Sequence, residues 1–485
     1  MTHIRLAGLD TEYGFVVEAR GAEDQIEDAT RFVKAYDGLH VAFWDYRYEN
    51  PCADLRGFNL EQLAFDPVDA QFDRGKTYGS SVEIRSDRIL LTGGRLYNDH
   101  GHPEYATPEC LTLDGIARHE LAGDQIMRET AQAYEAATGR TVKLYKNNTD
   151  FHGASWGTHE NYLVSRTVRF PALFAGIAPM LIARQILTGS GKAGSESGRS
   201  VPFQISQRAD FLVEPANAET LYRRPLFNTR DEPHARAQDY VRLHVICGDA
   251  NRIWRSTRRK VGLVQLAIAL TEIGAAPIWN VANPVEAFRT VSRDESRAFR
   301  IELTGGSWTT APQILESYFA NAERFLDLDP ELQDLIRECR TLLDTLASDF
   351  VQFARTVDWA AKRRMLEWIM SAEDLKWGDP ALQSYDLAYH DLDPEVSLFD
   401  ALVDMDWVEP NATPLYDAEP SRALARSFAI RHHARSLKSA AWRSLTFEVD
   451  GRMIDVELDP NRRYTLEPSD AESVHTFINT LRNQA

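Results

Sequence analysis

Residues 94–110 read GRLYNDHGHPEYATPEC and gather one Arg, two Tyr, two His, one Asp and two Glu in one short stretch. Arg95, Tyr97 and Asp99 lie two positions apart, and side chains alternate faces along a β-strand, so the spacing predicts that all three point to one side of a sheet. A cation, a phenol oxygen and a carboxylate placed together suit a nucleotide with its metal ion, because Arg binds phosphate and oxygen atoms bind Mg²⁺. The alternative is a solvated strand edge with a salt bridge.

A second pair of acids lies near the N-terminus, where residues 3–14 read HIRLAGLDTEYG. Apolar residues alternate before Asp10 and Glu12, and the two-residue period places both acids on the same face of a predicted strand. Two carboxylates side by side on a half-buried strand repel each other unless a cation lies between them, and hard divalent metals accept such ligands. The pattern fits a metal site and, equally well, an exposed strand end.

The periodicity of apolar residues predicts a mixed fold. Strands are predicted over residues 4–17, 89–98 and 142–146. Helices are predicted over residues 113–136, 261–273 and 315–325. Together these elements indicate an α+β fold in which helices cover a mainly antiparallel sheet.

The C-terminal part of the chain is separated by an acidic stretch with two prolines, residues 404–414. After it, residues 445–449 and 453–458 predict paired strands joined by Asp450-Gly451, which is a hairpin turn signal. We therefore predict a large domain over residues 1–411 and a small C-terminal α/β domain over residues 412–485.

Composition narrows the classes of function. The chain has 485 residues and a net charge of −18, so binding to nucleic acid or to an anionic membrane is not expected, because both need a positive surface. The most hydrophobic run, residues 170–187, contains Pro179 and Arg184, and predicts a buried helix rather than a membrane span. No signal peptide is recognisable, and the cysteines are scattered without a CxxC pair, which indicates a reducing cytoplasm.

Blocks of unusual residue types occur in order along nearly the whole chain. They are GLDTEYG at 8–14, RLYND at 95–99, HPEY at 102–105, YKNNTD at 145–150, GTHENYL at 157–163, SQR at 206–208, NTRDEPHA at 228–235, RLHVI at 242–246, GD at 248–249 and DLAYHD at 386–391. In these blocks the chain resembles the family of Pup ligases and Pup deamidases/depupylases, which are relatives of glutamine synthetase and of carboxylate-amine ligases. The resemblance implies a glutamine synthetase-like large domain.

Further blocks resemble the depupylase branch of that family more than the ligase branch. They read WDYRYENP at 44–51, DLRGFNL at 54–60 and DHGH at 99–102. The ligases lack the insertion that follows the second block, which here spans about residues 58–89. Because it has little apolar periodicity, this insertion is predicted to be a flexible loop, and long loops inside compact domains tend to be functional or disordered.

The resemblance also implies roles for single positions of this chain. Metal ligands are implied at Asp10, Tyr97 and Glu104, with Glu12 as a further ligand by analogy with glutamine synthetase. The catalytic carboxylate is implied at Asp99. Nucleotide contacts are implied at Arg95, at Thr107 and, from the small domain, at Trp442. Looser candidates are Arg208 as a phosphate clamp, His159, Glu160 and His244.

From the resemblance we expect an ATP- and Mg²⁺-dependent depupylase/deamidase, with ATP, or ADP and phosphate, as the cofactor. It would hydrolyse the isopeptide bond, or the Gln side-chain amide, at the C-terminal residue of Pup. The expected partner is Pup or a pupylated protein, an acidic polypeptide, or alternatively a small anionic substrate. Two other activities stay open: a Pup–protein ligase, and a phosphotransferase or carboxylate-amine ligase that acts outside the Pup system.

Two positions depart from the family pattern. Asp10 stands where the family usually has Glu, and Trp254 replaces an acid. Trp254 lies within a basic run, residues 252–260, which would dock an acidic partner such as Pup or bind a small anionic substrate. The alternative for this run is a solvated basic helix face.

Overall fold

A large antiparallel sheet carries the residues of interest. The structure is a computed structural model that describes residues 5–61, 81–220 and 223–484. Within these ranges nine strands form one sheet in the order β11-β12-β13-β8-β1-β6-β5-β4-β3, in which only β11 and β12 pair in parallel. Its strands are β1 Ala7–Glu12, β3 His40–Val41, β4 Arg88–Leu90, β5 Arg95–Asp99, β6 His102–Ala106, β8 Thr158–Ser165, β11 Glu214–Asn217, β12 Pro225–Asn228 and β13 Tyr240–Val245.

Smaller sheets surround this one. The remaining strands are β2 Gly14–Val17, β7 Val142–Tyr145, β9 Lys192–Ala193, β10 Phe203–Gln204, β14 Arg300–Glu302, β15 Trp308–Thr310, β16 Leu437–Ala441, β17 Ser444–Val449 and β18 Arg452–Glu457. The predicted strand at 142–146 is confirmed as β7. The single strand predicted over 4–17 is wrong at Tyr13, where the chain leaves the large sheet and β2 pairs with β7 instead. The strand predicted over 89–98 is likewise two strands, because the chain turns at Gly93, which has a φ of +80°.

Helices cover the sheet, as the sequence predicts. They are α1 Gln25–Ala35, α2 Ser81–Arg85, α3 Leu113–Thr138, α4 Phe170–Thr188, α5 Trp254–Glu272, α6 Pro284–Ser292, α7 Ala311–Phe325, α8 Pro330–Ser348, α9 Phe350–Phe353, α10 Asp358–Glu373, α11 Ala381–His390, α12 Leu398–Asp404, α13 Arg422–His433 and α14 Val474–Gln484. The caps of α3 explain its length: the Thr112 side chain accepts a hydrogen bond from the Gly115 backbone, and Gly139 closes the helix in the left-handed region.

The most apolar helix, α4, lies in the largest hydrophobic core. It is long and apolar enough to cross a membrane, with a mean hydropathy of 1.6, but 72% of that window is buried inside the protein. Leu181, Ile182 and Ile186 are fully buried against the neighbouring helices and the sheet. The prediction of a buried core helix is therefore confirmed.

The basic run at residues 252–260 is neither a docking surface nor a solvated helix face. Residues 252–253 precede α5 and residues 254–260 form its first turns. Arg259 and Lys260 are fully buried. Arg259 Nη1 lies 2.6 Å from Glu338, and Lys260 Nζ donates to the backbone carbonyl of Asp249 at 2.7 Å. Helix α5 begins at Trp254 rather than near residue 261, because carboxylates and carbonyls from distant segments compensate these cations.

The C-terminal part has its own hydrophobic core. Strands β16, β17 and β18 form an antiparallel sheet, and the predicted hairpin is confirmed, with Asp450 at φ 52° and Gly451 at φ 72°. Phe447 and Phe477 are buried in this core, which also includes Trp44 from the N-terminal half. The division of the chain at residue 411 stays a prediction.

The predicted insertion at 58–89 falls largely outside the described residues, because residues 62–80 are not among them. Its last part is described and is ordered into elements: α2 precedes β4, which pairs with β5 at the edge of the large sheet. The predicted flexible loop therefore does not extend to residue 89.

Candidate active site

A cavity of about 510 Å³ opens along the large sheet. Strands β1, β5, β6, β8 and β13 contribute side chains to its wall, and two residues, Arg422 and Trp442, come from the C-terminal part of the chain. All eight site residues predicted from the sequence line it: Asp10, Glu12, Arg95, Tyr97, Asp99, Glu104, Thr107 and Trp442.

Strand register explains why the acids meet. Strand β6 lies between β1 and β5, and Glu104 of β6 is directly opposite Glu12 on one side and Tyr97 on the other. The strand spacing of about 4.8 Å therefore places these three side chains next to one another. Asp99 follows Tyr97 by two residues and so points to the same face of β5.

Glu12, Asp99 and Glu104 form the first cluster, whose ligand atoms all lie within 4.8 Å of one another. Burial, and then the neighbouring Asp99, raises the pKa of Glu12 to about 8. Burial and the same neighbour raise the pKa of Glu104 well above its usual value. Burial acts to raise the pKa of Asp99 as well, but electrostatic interactions with His100, Arg85 and other basic side chains outweigh it and lower that pKa. Carboxylates held this close favour a bound divalent cation, which removes their mutual repulsion.

Asp10, His159 and His244 form a second cluster with the same spacing limit. Asp10 of β1 pairs directly with His159 of β8, and the rings of His159 and His244 are 5.0 Å apart. Burial, followed by Arg208, lowers the pKa of His159 to about 3, and burial also lowers the pKa of His244 well below its usual value. Both imidazoles are therefore neutral at pH 7, and within the described chain the ring nitrogens of His244 have no hydrogen-bond partner. Neutral, unpaired imidazole is the form that binds metal.

The metal ligands predicted from the sequence fall into two separate clusters in the structure. Asp10 belongs with two histidines, whereas Glu12 and Glu104 belong with Asp99. Asn161 Nδ2 donates to Asp10 at 2.8 Å, and burial raises the pKa of this carboxyl. His159 and His244, held only as loose candidates from the sequence, therefore line the cavity next to Asp10.

Arg95 is 4% exposed and is fixed on every side. Its Nε donates to Asp87 at 2.6 Å, and its Nη2 donates to the Tyr46 hydroxyl at 2.6 Å. Its guanidinium lies over the rings of Tyr97, at 4.0 Å, and Trp44, at 4.5 Å. A guanidinium held this rigidly presents a fixed positive charge to the cavity.

Thr107 and Trp442 line the cavity close to the backbone of β1 and to the C-terminal core. The Thr107 hydroxyl accepts from the Leu9 backbone at 3.0 Å and donates to the Pro108 carbonyl at 2.9 Å, so its main hydrogen bonds are internal. Trp442 packs edge-on against Trp44 at 4.9 Å, and the Arg426 guanidinium lies 5.0 Å from its ring centroid. Trp442 thus reaches the cavity from a different core than the acids do.

Of the two remaining loose candidates, one lines the cavity. Arg208 does so, and it donates to the Ser155 hydroxyl at 2.6 Å and to the Trp156 carbonyl at 3.0 Å. Glu160 does not, because it points to the opposite face of β8 and both its oxygens accept from Arg184 at 2.6 Å. The alternation along β8 that brings His159 to the site takes Glu160 away from it.

Sequence reasoning missed the basic side chains that face the acids across the cavity. These are Arg85, Arg224, Arg230, Arg242 and Arg422. A signal was present for Arg242, which is two residues before His244 on β13 and so shares its face. The others lie on loops or near helix ends, where no periodicity indicates the direction of a side chain.

Comparisons with known proteins show what this chain as a whole is similar to. The family model of the Pup-ligase protein matches residues 5–446. The chain is 36% identical to the depupylase of Acidothermus cellulolyticus, over 92% of each chain. It is 35% identical to the Pup deamidase/depupylase of Mycolicibacterium smegmatis, over 97% of this chain and 96% of that one. Against the Pup–protein ligase of Nocardia farcinica the identity is also 36%, but over 68% of this chain and 75% of the other.

Solved structures of a Pup ligase share the fold. The complex between the prokaryotic ubiquitin-like protein Pup and its ligase PafA matches with a TM-score of 0.77 at 27% identity, over 100% of this chain and 92% of that one. The structure of the Pup ligase PafA in complex with ADP matches with a TM-score of 0.72 at 30% identity, over 88% and 96% of the two chains. The family model, which covers most of the chain, and the relatives that are 35–36% identical over 92% or more of it show that this chain belongs to the Pup-ligase protein family.

Proposed function

We propose that this protein is an ATP- and Mg²⁺-dependent depupylase/deamidase of the cytoplasm. It would hydrolyse the isopeptide bond, or the Gln side-chain amide, at the C-terminal residue of Pup. The observation that carries this proposal is the extent of the similarity: relatives named depupylase align over 92% or more of the chain, whereas ligase relatives of 36–37% identity align over 68–74% of it.

The cavity suits a nucleotide with divalent cations. Glu12 and Glu104 would hold one ion beside Asp99, and Asp10 with the two histidines would hold another. The fit rests on chemistry: burial, and then the neighbouring acids, raise the pKa values of Glu12 and Glu104, and a divalent cation bound between them would offset both effects. When bound, Mg²⁺ neutralises phosphate charge and polarises a carbonyl or phosphoryl oxygen. Arg95 and Thr107 would contact the nucleotide, and Trp442 would pack against its base or ribose.

Asp99 is the residue that we assign to proton transfer. Its lowered pKa keeps it ionised at neutral pH, so it can accept a proton from a water molecule that attacks the γ-carbonyl carbon of the substrate. The new C–O bond forms, the C–N bond breaks, and the proton passes from Asp99 to the departing amine. The products are a free carboxylate on Pup and a lysine amine, or ammonia from the Gln amide.

The test combines the protein with ATP, Mg²⁺ and either a pupylated protein or Pup that ends in Gln, and it follows release of the protein or of ammonia. Asp99→Asn is expected to abolish both reactions, because an amide does not accept the proton. The exposed Asp37 provides the control, and Asp37→Asn is expected to act like the wild type. An Asp99→Asn variant with full activity would refute the assignment of Asp99.

A ligase is the second candidate, favoured by the solved structures, which are those of a Pup ligase. The same mixture with Pup ending in Glu and an acceptor protein distinguishes the two activities. A depupylase leaves the acceptor unmodified, whereas a ligase joins the two proteins and converts ATP to ADP. Consumption of ATP without either reaction would instead favour a family member that acts outside the Pup system.

A further inference from the structure

Arg85 is a cavity residue that neither the family resemblance nor the sequence pattern assigns. It ends the short helix α2, just after the residues 62–80 that lie outside the described chain. Its side chain lines the cavity together with Asp99 and Arg95. It therefore brings a positive charge to the acidic end of the site from outside the strands that build that end.

The backbone around Arg85 is firmly attached to the body of the protein. The carbonyl of Ile84 accepts a hydrogen bond from the Thr30 hydroxyl of α1 at 3.0 Å. Two residues after Arg85, the carboxylate of Asp87 is buried and binds both Arg95 and the Tyr46 hydroxyl at 2.6 Å. These contacts fix the position from which the Arg85 side chain extends.

The guanidinium of Arg85 is held less closely than that of Arg95, and the acid that interacts with it most strongly is Asp99. Within the described part of the chain no carboxylate forms a salt bridge with it, and its guanidinium carbon lies 5.2 Å from the centroid of the Tyr46 ring. Arg95 and Arg184, by contrast, are both bound to carboxylates at 2.6 Å or closer. An arginine that lines the cavity near Asp99, and that forms no salt bridge among the described residues, keeps its N–H donors available for an anionic ligand.

We propose that Arg85 binds an anionic oxygen group of the ligand in this cavity. Two sources have this chemistry: the terminal phosphate of the nucleotide, and the free α-carboxylate of the substrate's C-terminal residue. The carboxylate alternative rests on the proposed function, because that function identifies the substrate. The phosphate alternative does not depend on that function, because nucleotide binding can be measured without any turnover.

The experiment compares Arg85→Gln and Arg85→Lys with the wild type, using Mg²⁺ with ADP or ATP in equilibrium binding and Pup ending in Gln in kinetics. Arg31→Gln is the control, because Arg31 is an exposed arginine of α1 that pairs with Glu27. Thermal melting of each variant establishes that it is folded. Arg85→Lys keeps the charge but not the bidentate geometry, and we expect it to restore part of the lost binding.

If Arg85 binds the terminal phosphate, Arg85→Gln weakens ATP by about 10-fold or more and ADP much less, since a charge-assisted hydrogen bond is lost. If it binds the carboxylate, both nucleotides bind normally and KM for Pup rises by a similar factor. A folded Arg85→Gln protein that matches Arg31→Gln in nucleotide affinity and in KM would overturn the proposal. Failure of the proposed function is distinguishable, because the wild type would then leave Pup unchanged and still bind nucleotide.

Discussion

Glu104 and Glu160 are both buried glutamates on neighbouring parts of one sheet, yet their surroundings are opposite. Glu160 is enclosed with Arg184, whose two terminal nitrogens each donate to one of its oxygens at 2.6 Å. Glu104 faces Glu12 and Asp99, and its pKa is raised well above the usual value by burial and by those acids. A buried charge that is paired within the protein needs its partner for stability, whereas a buried cluster of like charges indicates a site for a cationic ligand.

The largest expected effect breaks the compensated pair. Glu160→Gln leaves the Arg184 guanidinium buried without its counter-charge, which should lower the free energy of unfolding by about 3–5 kcal/mol. Urea unfolding of the variant and the wild type measures this loss. Glu316→Gln is the matched control, because Glu316 pairs with Arg340 on the surface and its loss should cost less than about 1 kcal/mol. Equal stability of Glu160→Gln and the wild type would contradict the comparison.

The same substitution at Glu104 should act on activity instead of stability. Burial and the neighbouring acids raise the pKa of Glu104 and so favour its neutral form in the absence of a cation, and Glu104→Gln replaces that form with another neutral group of similar shape. We expect the unfolding free energy without metal to stay within about 1 kcal/mol of the wild type. Depupylation should fall by about 100-fold or more, because a metal ion contributes several kcal/mol to the transition state. A variant as active as the wild type would exclude Glu104 from the site.

Ligand addition tests directly whether the cluster of acids holds a cation. Mg²⁺ and ADP at about 100 times their dissociation constant should stabilise the wild type by about 2.7 kcal/mol, since only the folded protein binds them. Glu12→Gln should reduce this gain, and Glu316→Gln should leave it unchanged. Thermal melting with and without the ligand provides the measurement. An undiminished gain in Glu12→Gln would show that the acid cluster does not hold the cation.

The smallest effect concerns a buried base with no counter-charge. Burial lowers the pKa of His119 to about 4, and among the described residues its two ring nitrogens have no hydrogen-bond partner. Because the unfolded chain binds this proton near pH 6.5 and the folded protein near pH 4, stability is highest above pH 6.5 and falls as the pH drops toward 4.

The contribution of His119 to this loss is on the order of 2 kcal/mol, because each tenfold difference in proton affinity between the folded and unfolded chain corresponds to about 1.4 kcal/mol. His119→Met cannot be protonated, so urea unfolding at pH 7 and at pH 4.5 should show a smaller difference for it than for the wild type. Identical pH dependence in the two proteins would mean that His119 does not contribute.

The sequence predicts those site residues whose placement depends on local geometry. Asp10 and Glu12, like Tyr97 and Asp99, are two residues apart on a strand, and the two-residue period is enough to place them on one face. Which strands become neighbours depends on contacts between distant parts of the chain. The meeting of Asp10 with His159 follows from the pairing of β1 with β8, and no local pattern contains that information.

Burial of charge is the other property that the sequence does not reveal. The run at residues 252–260 has the composition of a surface, and its counter-charges, such as Glu338 and Asp400, come from elements far along the chain. The sequence also gives no indication that Arg85 lines the cavity, because the segment before it has no periodic pattern of apolar residues. The fold class, in contrast, follows from strand and helix periods that each element carries by itself.

Trp442 has a consequence for how the whole chain responds to a ligand. It belongs to the C-terminal core, while the acids across the cavity belong to strands of the large sheet, and residues 405–421 between the two parts contain no helix or strand. A nucleotide that contacts both walls would couple the unfolding of the two cores. Cleavage of the connecting segment by a protease should then become slower in the presence of ADP, even though the segment itself lies outside the binding site.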